Sequence, residues 1–95
     1  MATVVVTPTA VEDLQRLIRT LSLPADTTER VRATLEALST FPQLGSPLAG
    51  RWEDFRFVLG PWRWMLLVYV YDEATDRVAI VTVQDARSAE SATSA

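Results

Sequence analysis

The sequence contains neither cysteine nor histidine, and these two absences narrow the chemistry that is open to it. Without cysteine, the chain forms no disulfide framework and no thiolate metal site. Without histidine it has no imidazole base, so Cys/His zinc sites and the Ser-His-Asp and Cys-His nucleophile systems are excluded. Most hydrolase chemistry is therefore excluded, and we expect neither a metal nor another cofactor.

Long hydrophobic runs are also missing. The opening apolar segment, residues 3–6, is too short for the core of a signal peptide and has no basic residue before it. The longest later apolar run, residues 64–71, is far shorter than the roughly 20 residues that a membrane-spanning helix needs. We therefore expect a soluble cytoplasmic protein that does not associate with membranes.

Positive charge is scarce, because nine basic residues, all of them arginine, stand against twelve acidic ones, for a net charge of −3. Such a chain lacks the broad basic field on which nonspecific nucleic-acid binding depends, so contact with a nucleic acid would need a local arginine cluster. A chain of 95 residues, 48% of them hydrophobic, buries one core and not two. We expect one domain over residues 1–87 and a frayed or disordered tail over residues 88–95.

The N-terminal third has the pattern of a strand followed by two helices. Residues 2–7 are rich in Val and Thr and end at Pro8, which is typical of a strand and its boundary. Thr9 and Glu12 have the spacing of a capping box and predict a helix that starts at Thr9. Its predicted apolar face recurs at intervals of three and four residues and consists of Ala10, Val11, Leu14, Leu17, Ile18 and Leu21.

A second helix is predicted after the break at Pro24. Asp26 or Thr27 can cap it, and Pro42 ends it. Its apolar stripe consists of Val31, Leu35 and Leu38, with Phe41 near the end. Because the connection between the two helices is short, we expect them to form an antiparallel hairpin.

Beyond the loop at residues 43–50 the hydrophobic period changes from three or four to two, which is typical of strands. Strands are predicted around residues 55–59, 62–71 and 77–84, joined by tight turns. The predicted fold class is α+β, in the order β-α-α-β-β-β, with the helical hairpin packed on one face of an antiparallel sheet. The predicted core between hairpin and sheet consists of Leu14, Leu17, Leu35, Leu38, Phe55 and Phe57. The opposite face is predicted to stay open, and a partner peptide is predicted to bind across it and alongside the N-terminal helices.

A series of short motifs resembles the RelE/ParE toxin superfamily in order and spacing through most of residues 3–87. The motifs are Thr7-Pro8-Thr9-Ala10 leading into Glu12-Asp13-Leu14, then Leu35, Leu38 and Phe41-Pro42, Gly45-Ser46-Pro47-Leu48-Ala49-Gly50, Phe55-Arg56-Phe57, Gly60-Pro61-Trp62-Arg63 and Asp85-Ala86-Arg87. The resemblance implies the same β-α-α-β-β-β fold. It also implies a small bacterial growth inhibitor, the toxin of a type II toxin–antitoxin module, neutralised by a cognate antitoxin protein.

Two activities occur in that superfamily: RelE-like toxins cleave mRNA on the ribosome, and ParE-like toxins inhibit DNA gyrase without evident catalysis. The resemblance places Arg56, Arg63 and Arg87 at basic positions that stabilise charge during RNA cleavage. It therefore implies a ribosome-dependent mRNA interferase whose activity depends on these three arginines acting together.

Three positions depart from the ribonuclease pattern and keep two alternatives open. Val58 stands where the ribonuclease branch has a second basic residue in the strand, and Leu66 stands where a tyrosine commonly follows the post-turn arginine. The tail has no tyrosine, and Thr93 falls near the position of the tyrosine that takes part in the reaction in that branch. Cleavage is therefore expected to be weak. The alternatives are a non-catalytic ParE-like gyrase inhibitor and a divergent, inactive member that only binds its antitoxin.

Overall fold

The fold is α+β, as predicted, with two helices packed on a five-stranded sheet. A computed structural model describes residues 1–88 and 90–93. Within them no helix has both the length and the apolar character needed to cross a membrane. The elements are β1 (Thr3–Val6), α1 (Pro8–Leu21), α2 (Thr27–Thr40), β2 (Ser46–Pro47), a 3₁₀ turn (Gly50–Trp52), β3 (Arg56–Leu59), β4 (Met65–Asp72) and β5 (Arg77–Asp85).

The sheet has the strand order β1-β5-β4-β3-β2 and is mixed. The antiparallel meander of β3, β4 and β5 is confirmed. β1 instead pairs in parallel with β5, from Thr3 opposite Arg77 to Val6 opposite Ile80, so the sheet is not antiparallel throughout. No tight turn ties the direction of β1 to the meander, because both helices intervene between them.

The N-cap of helix α1 lies two residues earlier in the chain than the capping-box spacing predicts. Thr7 is the N-cap, and its hydroxyl accepts a hydrogen bond from the Ala10 N–H at 3.3 Å. Pro8 takes the first helical position, where its fixed φ suits a helix and its missing N–H costs nothing. The Thr7 hydroxyl also donates to the Ile80 carbonyl at 2.8 Å, so the start of α1 is tied to β5. The prediction of Thr9 as N-cap was wrong for this reason.

The core between the helices and the sheet contains the predicted helical residues. Leu14, Leu35 and Leu38 are buried there, and Leu17 packs against them while partly exposed. They meet side chains from β4 and β5, namely Met65, Leu67, Tyr69, Val78, Ile80 and Val83. The predictions for Leu14, Leu35 and Leu38 are confirmed, and that for Leu17 is confirmed only in part.

A second apolar cluster lies on the opposite face of the sheet and includes Phe55 and Phe57. Both rings are half-buried against Leu66 and Val68 of β4, with Leu48 and Ala92 completing the cluster. Val58, the alternate residue of β3, is the one that packs on the helical core. The prediction that Phe55 and Phe57 face the hairpin was therefore wrong, and the opposite face is partly covered by the chain itself.

The C-terminal segment contributes to that cover. Ser91 and Ala92 are buried, and the Ala92 N–H donates to Oε1 of Gln84 at 2.7 Å. The Ser91 hydroxyl lies 3.4 Å from the Ala86 carbonyl, to which it donates. Ala89, Ser94 and Ala95 lie outside the described residues, so the predicted frayed tail over residues 88–95 stays a prediction there.

Candidate functional site

Two of the three predicted site arginines lie at the same end of the sheet. Arg63 is in the turn between β3 and β4, and Arg87 lies two residues beyond the end of β5. The first residue of β4, Met65, pairs with the last residue of β5, Asp85. The register therefore brings the turn that carries Arg63 next to the strand end that carries Arg87.

Arg56 lies elsewhere and holds a loop in place. It pairs with Tyr69, four residues along β4 from Met65, which is about 13 Å at 3.3 Å per residue. Its Nη1 donates to the Gly45 carbonyl at 2.8 Å. The Gly45 N–H in turn donates to the Tyr69 hydroxyl at 2.8 Å. Burial raises the pKa of Tyr69, against smaller opposing effects of the Gly45 hydrogen bond and the Arg56 charge.

Arg87 is held by a carboxylate two residues before it. Its Nε and Nη2 donate to the two carboxylate oxygens of Asp85 at 2.9 and 2.8 Å, a bidentate pair. The Arg87 N–H donates to the same carboxylate at 2.9 Å. These hydrogen bonds lower the pKa of Asp85 and raise the pKa of Arg87. Arg87 is therefore a fixed cation, and Asp85 is a weak base.

The guanidinium of Arg87 also begins a stack of four side chains. It lies over the ring of Trp64 at 4.5 Å, and Trp64 stacks on Trp62 with ring centres 6.0 Å apart and an interplanar angle of 15°. Arg30, from the first turn of α2, lies over Trp62 at 4.8 Å. We call Arg87, Trp64, Trp62 and Arg30 the Arg–Trp ladder. The sequence offered only the Trp-Arg-Trp spacing of residues 62–64 as a signal, and it gave no indication of Arg30.

Arg63 lies between the two ladder tryptophans in the chain and is exposed. No ion pair or side-chain hydrogen bond of Arg63 occurs within residues 1–88 and 90–93. Among these residues nothing occupies the donors of its guanidinium. The described part of this end of the sheet thus presents Arg87 paired with Asp85, Arg63 exposed in the turn, and Arg30 stacked on Trp62.

Comparison with known proteins places the chain in a family. The model described as "ParE toxin of type II toxin-antitoxin system, parDE" matches residues 4–89. The chain belongs to the ParE toxin family. It is thus the toxin of a type II toxin–antitoxin module, as its motifs suggested. No curated protein matches it.

Solved structures with the same fold come from several bacteria. The RelBE2 toxin–antitoxin complex of Mycobacterium tuberculosis matches with 26% identity and a TM-score of 0.63, over 88% of this chain and 96% of that one. A metal-bound toxin of Helicobacter pylori matches with 21% identity and a TM-score of 0.69, over 90% and 94%. The intact RelBE complex of E. coli matches with 15% identity and a TM-score of 0.64, over 93% and 100%.

In this ParE-family toxin, the titratable side chains that line the pocket at the end of β5 are Asp13, Arg16, Asp85 and Glu90. Val58 packs on the core, and Leu66 is buried under the opposite face. Tyr71 lies near the far end of β4, where its hydroxyl donates to Asp76 at 2.7 Å, a bond that raises its pKa. No cluster of His, Cys, Asp and Glu suited to a metal ion occurs in the part of the chain that the structure describes.

Proposed function

We propose that this ParE-family toxin arrests growth by binding DNA gyrase and does not cleave a substrate. The observation that carries the proposal is the state of the predicted arginines. Of the three predicted arginines, Arg56 is bonded to the Gly45 carbonyl and Arg87 is paired with Asp85, whereas Arg63 has no hydrogen-bond or ion-pair partner among the described residues. Arginine stays protonated and does not serve as a general base.

The missing proton carrier matters quantitatively for the choice between cleavage and binding. A positioned acid or base typically contributes about 10²–10⁴-fold to a rate, and the chain has no His or Lys to supply it. Asp85 has a lowered pKa and is committed to Arg87. Binding needs none of this, because arginine and tryptophan are the residues that most often dominate protein interfaces.

Ribosome-dependent mRNA cleavage is the second candidate, and a specific observation favours it. Arg63 and Arg87 converge at one end of the sheet, where two guanidiniums could stabilise charge on a phosphate. The 26% identity to the toxin–antitoxin complex RelBE2 supports the same candidate. Such cleavage would be weak, because charge stabilisation would be its main surviving contribution.

We further propose that the cognate antitoxin binds along the helices beside β1. A groove of about 280 Å³ opens there between α1, α2 and the sheet, with Val6, Val11, Leu14, Val31 and Leu35 among its lining residues. Val6 and Val11 are exposed at 43% and 41%, which is high for valines beside a core. Because the other sheet face is partly covered by the chain itself, we place the antitoxin on the part of the predicted surface that lies alongside the N-terminal helices. The related RelBE and RelBE2 structures are themselves toxin–antitoxin complexes.

A pair of assays tests the gyrase proposal. The toxin, released from its antitoxin, should inhibit gyrase supercoiling and leave mRNA uncut on ribosomes. Arg63→Ala should weaken inhibition at least about tenfold, because it removes the exposed guanidinium, and tenfold corresponds to about 1.4 kcal/mol. Arg77→Ala is the matched control, since Arg77 is an exposed arginine at the opposite end of β5.

The contrary outcome is equally concrete. Ribosome-dependent cleavage that is lost in Arg63→Ala and Arg87→Ala, with supercoiling unaffected, would support the mRNA interferase and reject the gyrase proposal. A toxin that shows neither activity but still binds its antitoxin would be the divergent, inactive family member.

A further inference from the structure

We infer that the Arg–Trp ladder and Arg63 form a docking surface for an acidic protein segment, and that Arg30 of α2 is part of it. This inference deepens the proposed function and rests on it, since it names the surface that meets a protein target. Arg30 is the new element: it is distant in sequence from the other arginines and enters the surface only through its stack on Trp62.

The ladder is assembled before any ligand arrives. Its members come from three elements, namely α2, the β3–β4 turn and the end of β5. Trp62 and Trp64 are half-buried against the helical core, so their rings are held in place from beneath. Each arginine is then oriented by a ring face, and Arg87 also by Asp85. Side chains that are already ordered lose less entropy on binding, which favours affinity.

The charge of this surface selects an acidic partner. Neither Arg30 nor Arg63 has an ion-pair partner within the described residues, where the salt bridges are Arg16 with Asp13 and Arg87 with Asp85. Two guanidiniums are therefore uncompensated in a chain whose net charge is −3. A guanidinium stacked on a ring still presents its N–H edge, and that edge matches a carboxylate in bidentate geometry.

The stacking itself argues for a protein over a nucleic acid. Single-stranded nucleic acids bind sequence-tolerantly by laying bases on open aromatic faces. In the ladder Trp62 and Trp64 stack on each other, and a guanidinium lies over each ring, Arg30 over Trp62 and Arg87 over Trp64. Much of the ring surface is therefore already occupied by the chain's own side chains, which leaves less of it for a base.

Tryptophan fluorescence offers a direct test with defined probes. The variant Trp52→Phe removes the third tryptophan, which lies in the cluster on the other sheet face, so emission then reports on Trp62 and Trp64 alone. In this background poly-L-glutamate and polyuridylate are titrated at equal charge concentration and low ionic strength. We expect a saturable emission change with polyglutamate and a midpoint at least about tenfold higher with polyuridylate.

Arg30 is tested in the same background. Arg30→Ala should weaken polyglutamate binding about tenfold, and Arg30→Lys should recover only part of it, because lysine keeps the charge without the planar fork. Arg77→Ala should bind as the parent does. Unchanged far-UV circular dichroism in each variant excludes misfolding as the cause.

The outcomes separate this inference from the gyrase proposal. Equal or tighter binding of polyuridylate, or parental polyglutamate binding by Arg30→Ala, overturns the acidic docking surface. Polyglutamate binding that depends on Arg30, in a toxin that leaves gyrase unaffected, keeps the surface and rejects only the gyrase target. Gyrase inhibition that survives Arg30→Ala unchanged rejects the surface and keeps the target.

Discussion

At the residue scale, the lack of a side chain at Gly45 lets the backbone just before β2 lie close to β3 and β4. A Cβ at Gly45 would lie 2.6 Å from the Phe57 carbonyl oxygen and 2.7 Å from the ring and hydroxyl of Tyr69. Arg56 and Tyr69 bond the same glycine through its carbonyl and its N–H. Arg56, one of the predicted site residues, thus helps to hold the loop at Gly45 in place. The sequence pattern did not reveal this role, because Gly45 and Tyr69 both lie outside the strand that carries Arg56.

Gly45→Ala should destabilise the protein by about 2–4 kcal/mol, since overpacking and the strained hydrogen bond to Tyr69 add together. Gly60→Ala is the matched control. Its Cβ would meet Sδ of Met65 at 2.7 Å, the far part of a flexible side chain that can move aside. Urea unfolding followed by circular dichroism measures both. A Gly45→Ala variant as stable as Gly60→Ala would show that the loop does not pack on Tyr69 as described.

At the scale of single elements, helices were easier to predict than the orientation of a short strand. The repeats of three and four residues in α1 and α2 leave one apolar face, and Leu14, Leu35 and Leu38 are buried on it. In β3 both faces carry apolar groups, because Val58 lies on one face and Phe57 on the other. Aromatic size suggested the wrong face.

Local patterns could not predict two long-range contacts. These are the parallel pairing of β1 with β5 and the contact of Arg30 with Trp62, each of which joins segments far apart in the chain.

The corrected orientation of β3 changes the expected cost of emptying its aromatic site. Phe57 is half-buried under the second cluster, so Phe57→Ala should cost roughly 1–3 kcal/mol, below the 3–5 kcal/mol of a fully buried phenylalanine. Leu67→Ala, on β4 facing the helices and fully buried, should cost more, roughly 2–5 kcal/mol. Chemical denaturation of both variants checks the order. A larger loss for Phe57→Ala than for Leu67→Ala would show that Phe57 faces the helices after all.

At the scale of the whole molecule, the stacked arginines and the acidic β4–β5 turn lie at opposite ends of β4. The Arg–Trp ladder and Arg63 lie where β4 begins, and Asp72, Glu73 and Asp76 lie where it ends. The groove beside β1 is a third region, on the helical side near the start of α1. The family was predicted from the resemblance of the motifs to the RelE/ParE superfamily, and the chain's own periodicities predicted the elements of the fold. The separation of a cationic end from an apolar groove could not be predicted, because it depends on which elements meet.

This separation predicts that antitoxin binding and target binding can be uncoupled by single substitutions. Val11→Asp places a carboxylate in the apolar groove, so it should reduce copurification with a tagged antitoxin at least about tenfold, the effect of about 1.4 kcal/mol. The fold should tolerate it, because an acidic residue near a helix N-terminus interacts favourably with the helix dipole. Thr9→Asp is the matched control: it adds the same charge to the first turn of α1, at an exposed position outside the groove lining.

Growth provides the second readout of the same pair. Coexpressed with antitoxin, the Val11→Asp toxin should arrest growth, since it escapes neutralisation while Arg63 and the ladder stay intact. The Thr9→Asp toxin should remain neutralised. Arg30→Ala should copurify with the antitoxin as the parent does, because Arg30 lies outside the groove lining. If Val11→Asp copurifies normally and Arg30→Ala does not, the antitoxin occupies the arginine end, and the toxin then has one shared surface for antitoxin and target.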